Sequence, residues 1–216
     1  MTLLLHTADL HLSSEHPERW EALDAILRLA AERSVDVLLV AGDVLDRGEE
    51  THALRARFRN LLESADATVL ILPGNHDVDA YAEGQDWGPR TTLLLDRPVG
   101  THWTGGLPLV FLPFPLESVA FSALRPALEE EARLAGGTAI LVLHATLLSE
   151  GDAWLLQETQ EEEPGRYLPV RLEALAELPF AYVAAGHYHQ GKVWKHDSQV
   201  VAYPGAPAPV GPHALG

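Results

Sequence analysis

Residues 68–77 read Thr-Val-Leu-Ile-Leu-Pro-Gly-Asn-His-Asp, which is an apolar run followed by a short polar stretch. The run predicts a buried strand, and the Pro-Gly pair predicts a tight turn where that strand ends. Open α/β sheets place their sites at the carboxyl ends of strands. There, Asn75, His76 and Asp77 would present an amide oxygen, an imidazole and a carboxylate able to orient it. By itself this stretch is equally compatible with a polar surface turn.

Four other apolar runs, at residues 3–5, 35–40, 138–143 and 180–185, also end in metal-ligating residue types. The residues that follow the five runs are Asp9 and His11, then Asp43, then Asn75 with His76 and Asp77, then His144, and finally His187 with His189. Any one histidine alone is more often a hydrogen-bonded core or surface residue. Together they form a set of nitrogen and oxygen ligands large enough for two divalent ions.

Helical patterns lie between these runs. Pro17 opens a helix in which Trp20, Leu23, Leu27 and Ala30 share one face, and further helices are predicted at 51–63, within 118–134 and at 171–178. Strands alternating with helices predict a largely parallel sheet covered on both faces. The alternation at 193–202 predicts a hairpin, and the acidic stretch 157–165 a solvated loop. We predict one domain over residues 1–203, then a Pro/Gly-rich tail at 204–216 and no capping domain.

The composition excludes several classes of protein. The chain has 216 residues and is 47% hydrophobic, which is enough for one full core. It has no cysteine, so thiolate ligands, disulfides and cysteine nucleophiles are excluded. The apolar start is too short for a signal peptide, and no stretch approaches the roughly 20 apolar residues that span a bilayer. We therefore expect a cytoplasmic protein without a membrane partner.

The charge balance bears on the substrate. The chain has 15 basic and 31 acidic residues, giving a formal net charge of -16. Such a charge repels polyanions at long range and argues against an autonomous DNA-binding module. It argues less against a metalloenzyme, because bound cations neutralise acidic ligands.

The ligand set predicts a two-metal site. Two cations about 3.5–4 Å apart need an anionic bridge, for which we choose Asp43. One ion is then assigned to Asp9, His11, Asp43 and His189, and the other to Asp43, Asn75, His144 and His187. Water or hydroxide held between the ions would attack phosphorus in line. His76 would protonate the departing alkoxide or stabilise the transition state, and Asp77 would fix its tautomer.

Five ordered blocks carry a family resemblance. They are Asp9-x-His11, Gly42-Asp43-x-x-Asp46, Gly74-Asn75-His76-Asp77, His144 and Gly186-His187-x-His189. This order resembles the calcineurin-like metallophosphoesterases. The resemblance implies an α/β fold, a four-layer sandwich of two mixed β-sheets flanked by α-helices. It also implies a dinuclear site with the ligands assigned above and His76 as the catalytic histidine. We expect two divalent metal ions, with Mn²⁺ as the first choice and Fe or Zn as alternatives.

Two further stretches narrow the resemblance. Residues 6–12 and the sequence Tyr203-Pro204-Gly205-Ala206 resemble SbcD-type DNA repair nucleases. This implies a DNA exonuclease and, if a longer chain exists, an ATPase partner of the SbcC/Rad type. Asp46 would then lie beside the ligands or on the substrate side of the site. The oligomeric state stays open, with a homodimer as one outcome.

Two other functions remain open. A small-molecule phosphodiesterase or phosphatase, acting on cyclic nucleotides or nucleotide diphosphate esters, would suit the acidic charge and the missing capping domain. A non-catalytic scaffold with the same fold is the third hypothesis. The complete ligand blocks argue against a scaffold, which has no need of His76.

Overall fold

The computed structural model describes residues 2–136, 139–149 and 167–210. The predicted solvated loop at 157–165 and the end of the predicted tail, at 211–216, lie outside the described residues. Residues 204–210 form no helix or strand, as the run of proline and glycine predicts.

The described chain alternates strands and helices. The strands are β1 Leu4–Thr7, β2 Val37–Ala41, β3 Thr68–Leu72, β4 Thr91–Leu93, β5 Gly100–Thr104, β6 Leu107–Leu112, β7 Ile140–His144, β8 Thr146–Leu148, β9 Pro169–Arg171, β10 Tyr182–Gly186, β11 Lys192–His196 and β12 Gln199–Tyr203. The α-helices are α1 Pro17–Glu32, α2 Thr51–Leu62, α3 Phe121–Leu134 and α4 Leu172–Ala176. Short 3₁₀ turns lie at Gly48–Glu50 and Val78–Ala80.

These strands build two main sheets. The first has the order β1-β2-β3-β4, and all its pairs are parallel. The second has the order β11-β12-β10-β7-β6-β5, with the antiparallel strands β11 and β5 at its two edges. A small parallel pair joins β8 to β9. The predicted sandwich is confirmed, with one refinement, since only the six-stranded sheet is mixed.

Side chains alternate along the central strands between separate cores. In β2, Val37, Leu39 and Ala41 belong to the layer between the two sheets, whereas Leu38 and Val40 pack with α1 and α2. Strands β3, β6, β7 and β10 alternate in the same way, and α3 and α4 cover the outer face of the second sheet. Because both strand faces are buried, the sequence shows continuous apolar runs at these strands.

The helix predictions agree in place but less well in length. Helix α1 begins at Pro17 and buries the predicted face that includes Trp20 and Leu23. Helix α3 contains Pro126 as its sixth residue, so the helix lacks the hydrogen bond that an N–H at this position would donate to the carbonyl of Ser122. Helix α4 ends at Ala176, two residues before the predicted end. Among the described residues, no helix is both long enough and apolar enough to cross a bilayer.

His6 on β1 makes the stability of the fold sensitive to acid. Its Nδ1 lies 3.1 Å from the hydroxyl of Tyr182, and its Nε2 is buried without a hydrogen-bond partner among the described residues. Burial lowers the pKa of His6 from 6.5 to about 3. Between these two values the unfolded chain binds the proton and the folded chain does not. His6 therefore reduces stability as the pH falls from 6.5 towards 3.

We expect His6→Leu to flatten this acid-side loss of stability. One such histidine contributes a slope of up to about 1.4 kcal/mol per pH unit within that window. Urea unfolding of both proteins without metal, at several pH values from about 7.5 to about 4.5, measures the difference. Other titrating groups are common to the two proteins, so parallel curves would contradict the prediction.

Candidate metal centre

The site lies where strands of both sheets end on the same side of the molecule. Strands β1, β2 and β3 of the first sheet lead into the loops that carry Asp9 with His11, Asp43 and Asn75. Strand β7 of the second sheet ends at His144, and β10 leads into His187 and His189. Because the neighbouring strands are parallel, their carboxyl ends deliver these side chains to one place. The structure thus brings together all seven predicted ligands.

The first group consists of Asp9, His11 and His189. Each offers one ligand atom, and the three atoms lie within 4.8 Å of one another. The Nε2 atoms of His11 and His189 are 3.1 Å apart. The carboxylate of Asp9 accepts the backbone N–H of His187 at 3.0 and 3.1 Å, which fixes its orientation.

The second group centres on Asn75. Its Oδ1 lies 3.0 Å from Nε2 of His144 and 3.0 Å from Nδ1 of His187. The other ring nitrogen of His144, Nδ1, lies 2.9 Å from the carbonyl of Ala41 and is oriented to donate its proton there. This arrangement directs Nε2 of His144 at the oxygens of Asn75 and Asp43, the orientation expected of a metal ligand held by a backbone carbonyl.

Asp43 lies between the two groups. Its Oδ2 is 3.7 Å from Nε2 of His11 and 3.3 Å from Nε2 of His144. Its Oδ1 accepts the backbone N–H of His76 at 3.0 Å. One carboxylate oxygen therefore faces both groups, which is the position that a bridging ligand needs. The assignment of individual residues to individual ions stays a prediction.

The chemistry of these donors fits divalent cations. Burial lowers the pKa of His187 to about 3 and that of His189 to about 4, so both imidazoles are neutral, as metal ligands must be. Burial and the nearby charge of Asp43 raise the pKa of Asp9 to about 6, although His144 and His11 oppose the rise. Burial disfavours a charged His144, but the Asp43 carboxylate outweighs it and raises that pKa to about 9. Crowded acceptors and carboxylates of this kind are stabilised by bound cations.

The backbone at the site is strained. Asp9, His11, Asp43 and His187 have φ angles of 54°, 44°, 52° and 112°, in the left-handed region that favours glycine. Such conformations cost on the order of 1–3 kcal/mol each and persist where surrounding structure imposes them. Backbone hydrogen bonds impose them here, since Asp9 donates to Gly42 at 3.1 Å and His11 donates to Asp43 at 3.0 Å. Strain concentrated on predicted ligands is typical of a preorganised site.

The predicted contact between Asp77 and His76 is wrong. Nδ1 of His76 lies 3.0 Å from the backbone carbonyl of Asp46, so that carbonyl sets the tautomer by holding the proton on Nδ1. Nε2 then has no proton in the neutral ring and carries one when the ring is charged. Asp77 is buried and accepts hydrogen bonds from the N–H of Leu45, the N–H of Gly74 and the hydroxyl of Tyr81. Both carboxylate oxygens of Asp77 are thus engaged by groups other than His76. Asp77 therefore ties the turn to the loop after β2.

Asp46 and Arg19 contact His11 at atoms other than Nε2, the nitrogen that faces His189. Oδ1 of Asp46 lies 3.3 Å from Nδ1 of His11 and 3.1 Å from a guanidinium nitrogen of Arg19. The same guanidinium donates to the carbonyl of His11 at 2.6 Å. His11 and Arg19 hold the pKa of Asp46 down at about 2 despite its partial burial. Arg19 was missed, although its spacing of four residues from Leu23 places it on the inward face of α1.

Glycines allow the close approach of the ligand loops. A Cβ on Gly42 would lie 2.0 Å from Nδ1 of His144, and Gly42 also has a φ of +97°. A Cβ on Gly74 would lie 2.0 Å from Oδ1 of Asp43. Atoms cannot approach so closely, so a side chain at either position displaces a predicted ligand.

We expect Gly42→Ala to lower the metal content and the stability together. The new methyl group must push His144 away from the Ala41 carbonyl and from Asn75. Gly84→Ala is the matched control, because Gly84 also has a positive φ, +77°, but open space around its Cβ position. The control should lose only about 1–2 kcal/mol of stability, because its alanine must adopt the strained left-handed backbone. Thermal unfolding and metal analysis of both variants measure this, and equal behaviour would contradict the steric argument.

Part of the chain is similar in sequence to known proteins. Two Escherichia coli proteins, from strain K12 and from O157:H7 and both named as the SbcD component of the SbcCD nuclease, are 36% identical to this chain over 83 residues. Each alignment covers 34% of this chain and 21% of the relative, so this chain matches about a fifth of the relatives' length.

Solved structures show the same fold at low identity. A dimetal phosphatase from Danio rerio superposes with a TM-score of 0.59 at 13% identity, covering 97% of this chain and 88% of its own. The phosphopantetheinyl hydrolase of Mycobacterium tuberculosis gives a TM-score of 0.51 at 18% identity, covering 95% and 90%. The calcineurin-like phosphoesterase family matches residues 2–191. With this match and a site suited to two divalent ions, the chain belongs to the calcineurin-like phosphoesterase family, whose members hydrolyse phosphoesters with bound metal.

Proposed function

We propose that this chain is the nuclease domain of an SbcD-type DNA exonuclease that hydrolyses phosphodiester bonds with two manganese ions. The observation that carries the proposal is the convergence of seven predicted ligands from five strand ends, with His76 beside them. The partial likeness to the SbcD component of the SbcCD nuclease and the stretch at residues 6–12 support DNA as the substrate.

The chain's own residues would position the phosphodiester. His76 lines an open cleft together with Asp46, Arg47, Gly48, Glu49 and Asn75. The exposed guanidinium of Arg47 offers the cleft a cation that suits a phosphate oxygen. His76, held at Nδ1 by the carbonyl of Asp46, would carry a proton on Nε2 towards the leaving oxygen. Bound divalent ions would supply a nucleophile near neutral pH and offset charge on the phosphoryl oxygens.

The ligand positions favour hydrolysis over a scaffold role. A scaffold needs neither the strained ligand loops nor an imidazole held at the mouth of the cleft. We propose manganese because the donors are nitrogen and oxygen without sulfur, with iron or zinc as alternatives. If this chain is part of a longer protein, an SbcC/Rad-type ATPase is the proposed partner, since it would supply the grip on DNA that an acidic domain lacks.

The test compares substrates at equal concentrations of manganese-loaded protein. A 5′-labelled DNA duplex, bis(p-nitrophenyl) phosphate and cyclic nucleotides are incubated in parallel. We expect progressive shortening of the duplex from its ends. Turnover of the small esters with intact DNA would overturn the exonuclease proposal.

The second candidate is a small-molecule phosphodiesterase or phosphatase with the same fold. The formal net charge of -16 favours it, because a free polyanion is repelled by the domain as a whole. The fold-level neighbours named as a dimetal phosphatase and a phosphopantetheinyl hydrolase are consistent with it. Increasing the salt concentration distinguishes the two candidate functions. Screening should speed hydrolysis of the highly charged duplex and leave hydrolysis of small esters, which carry a single negative charge, nearly unchanged.

A further inference from the structure

Tyr188 is an exposed aromatic residue within the predicted ligand segment. It lies between His187 and His189 in sequence, and 48% of its surface is exposed. One face of its ring stacks on Tyr203, with centroids 5.8 Å apart and an interplanar angle of 29°. An aromatic ring in this state has one supported face and is half accessible to solvent. The metal site makes no use of it.

The ring beneath Tyr188 is rigidly held. The hydroxyl of Tyr203 donates to the carbonyl of Ala145 at 2.5 Å and accepts the N–H of Leu147 at 2.8 Å. Trp194 packs edge-on against Tyr203, with centroids 5.7 Å apart. Tyr203 is buried, so the stack under Tyr188 belongs to the core of the second sheet. A preorganised aromatic surface loses little conformational entropy when a planar group stacks on it.

One of the chain's two lysines, Lys192, lies beside this aromatic stack. Lys192 and Lys195 are the only lysines in the sequence, and both lie on β11, in a protein with a net charge of -16. The ammonium of Lys192 lies 4.7 Å from the ring centroid of Trp194. Lys192 and Tyr188 line one cavity with Thr146 and Leu147, which follow His144 by two and three residues. The cavity thus combines an aromatic surface with positive charge within three residues of predicted ligands.

We propose that Tyr188 is a stacking platform for the base of a nucleotidyl substrate, with Lys192 attracting its phosphate groups. The inference rests on the proposed function and deepens it, because it names a residue that would bind the base of the substrate. A base offers a planar face that can cover the exposed tyrosine ring, and stacking tolerates any base. Its phosphates carry the negative charge that the ammonium of Lys192 attracts.

Binding of two products tests this proposal. Adenosine 5′-monophosphate and ribose 5-phosphate carry the same phosphate, but only the first has a base. With the manganese-loaded wild type, calorimetry should show adenosine 5′-monophosphate binding about tenfold more tightly or better, given the usual energy of base stacking. Tyr188→Leu should abolish that preference and retain the metals, whereas Tyr188→Phe should keep it. Trp103→Leu is the control, since Trp103 is 58% exposed on β5, at the opposite edge of the same sheet.

The outcomes separate the two proposals. Equal affinity of the wild type for both ligands would overturn the stacking role and leave phosphoester hydrolysis intact. That comparison needs no variant, so it stands even if Tyr188→Leu does not fold. An unchanged preference in a folded, metal-loaded Tyr188→Leu would also overturn it. Failure of both ligands to bind, together with no hydrolysis of any ester, would instead count against the proposed function.

Discussion

Replacing His76 by alanine should lower the rate of phosphodiester hydrolysis by about 10²–10⁴-fold, the usual contribution of a positioned acid or base. The variant should still bind two metal ions, because His76 is not one of the assigned ligands. Its N–H to Asp43 is a backbone contact and survives the substitution. Elemental analysis of the loaded protein and turnover of bis(p-nitrophenyl) phosphate measure the two quantities together.

This experiment also decides between two roles for His76. His11, Asp43 and His76 each place a ligand atom within 4.8 Å of the others, so the geometry also permits His76 to be a ligand. Loss of an ion from His76→Ala would show that His76 is a metal ligand and would contradict its role as the acid. His196→Ala is the control, because its side chain is 67% exposed on β11 and should change neither quantity.

Changing Asp43 to asparagine should be more damaging. The substitution keeps an oxygen that can accept the N–H of His76, but it removes the negative charge between the two groups of ligands. We expect the metal content to fall from two ions to at most one. Hydrolysis should fall by at least about 10³-fold, the upper range for loss of one preorganised electrostatic contact.

The matched control for Asp43→Asn is Asp79→Asn. Asp79 is exposed in the 3₁₀ turn that follows Asp77. The substitution therefore removes one negative charge, as Asp43→Asn does, but from an exposed position. It should leave the metal content and the rate close to those of the wild type. If Asp43→Asn retains two ions, the bridging assignment is wrong and another carboxylate, such as Asp9, must hold the ions together.

Much of the fold follows from local patterns. Strands β3 and β6 begin and end where their apolar runs do, because both faces of each strand are buried and each run ends at a turn signal. The division into two sheets does not follow from the residues alone, because β2 and β7 show the same continuous apolar run. The family resemblance supplied the sandwich, and hydrogen bonding between distant segments decides which strand joins which sheet.

Prediction of the site succeeded for residue types and failed for side-chain contacts. Residues such as Asp9 and His144 could be found because each follows an apolar strand. The contact of His76 with the Asp46 carbonyl could not, because it joins two loops 30 residues apart. Tyr81 and Arg19 were missed because they lie outside the strand ends, although each holds a carboxylate of a ligand loop.

The predicted ligands are divided between the two sheets, so metal binding would depend on the packing of one sheet against the other. Asp9, His11, Asp43 and Asn75 arrive on the first sheet, and His144, His187 and His189 on the second. Neither sheet alone holds a complete set for either predicted ion. On this predicted assignment, either ion would gain its full set of ligands only after the two sheets have docked through their shared apolar layer. Metal binding would then stabilise the docked state of the two sheets by mass action.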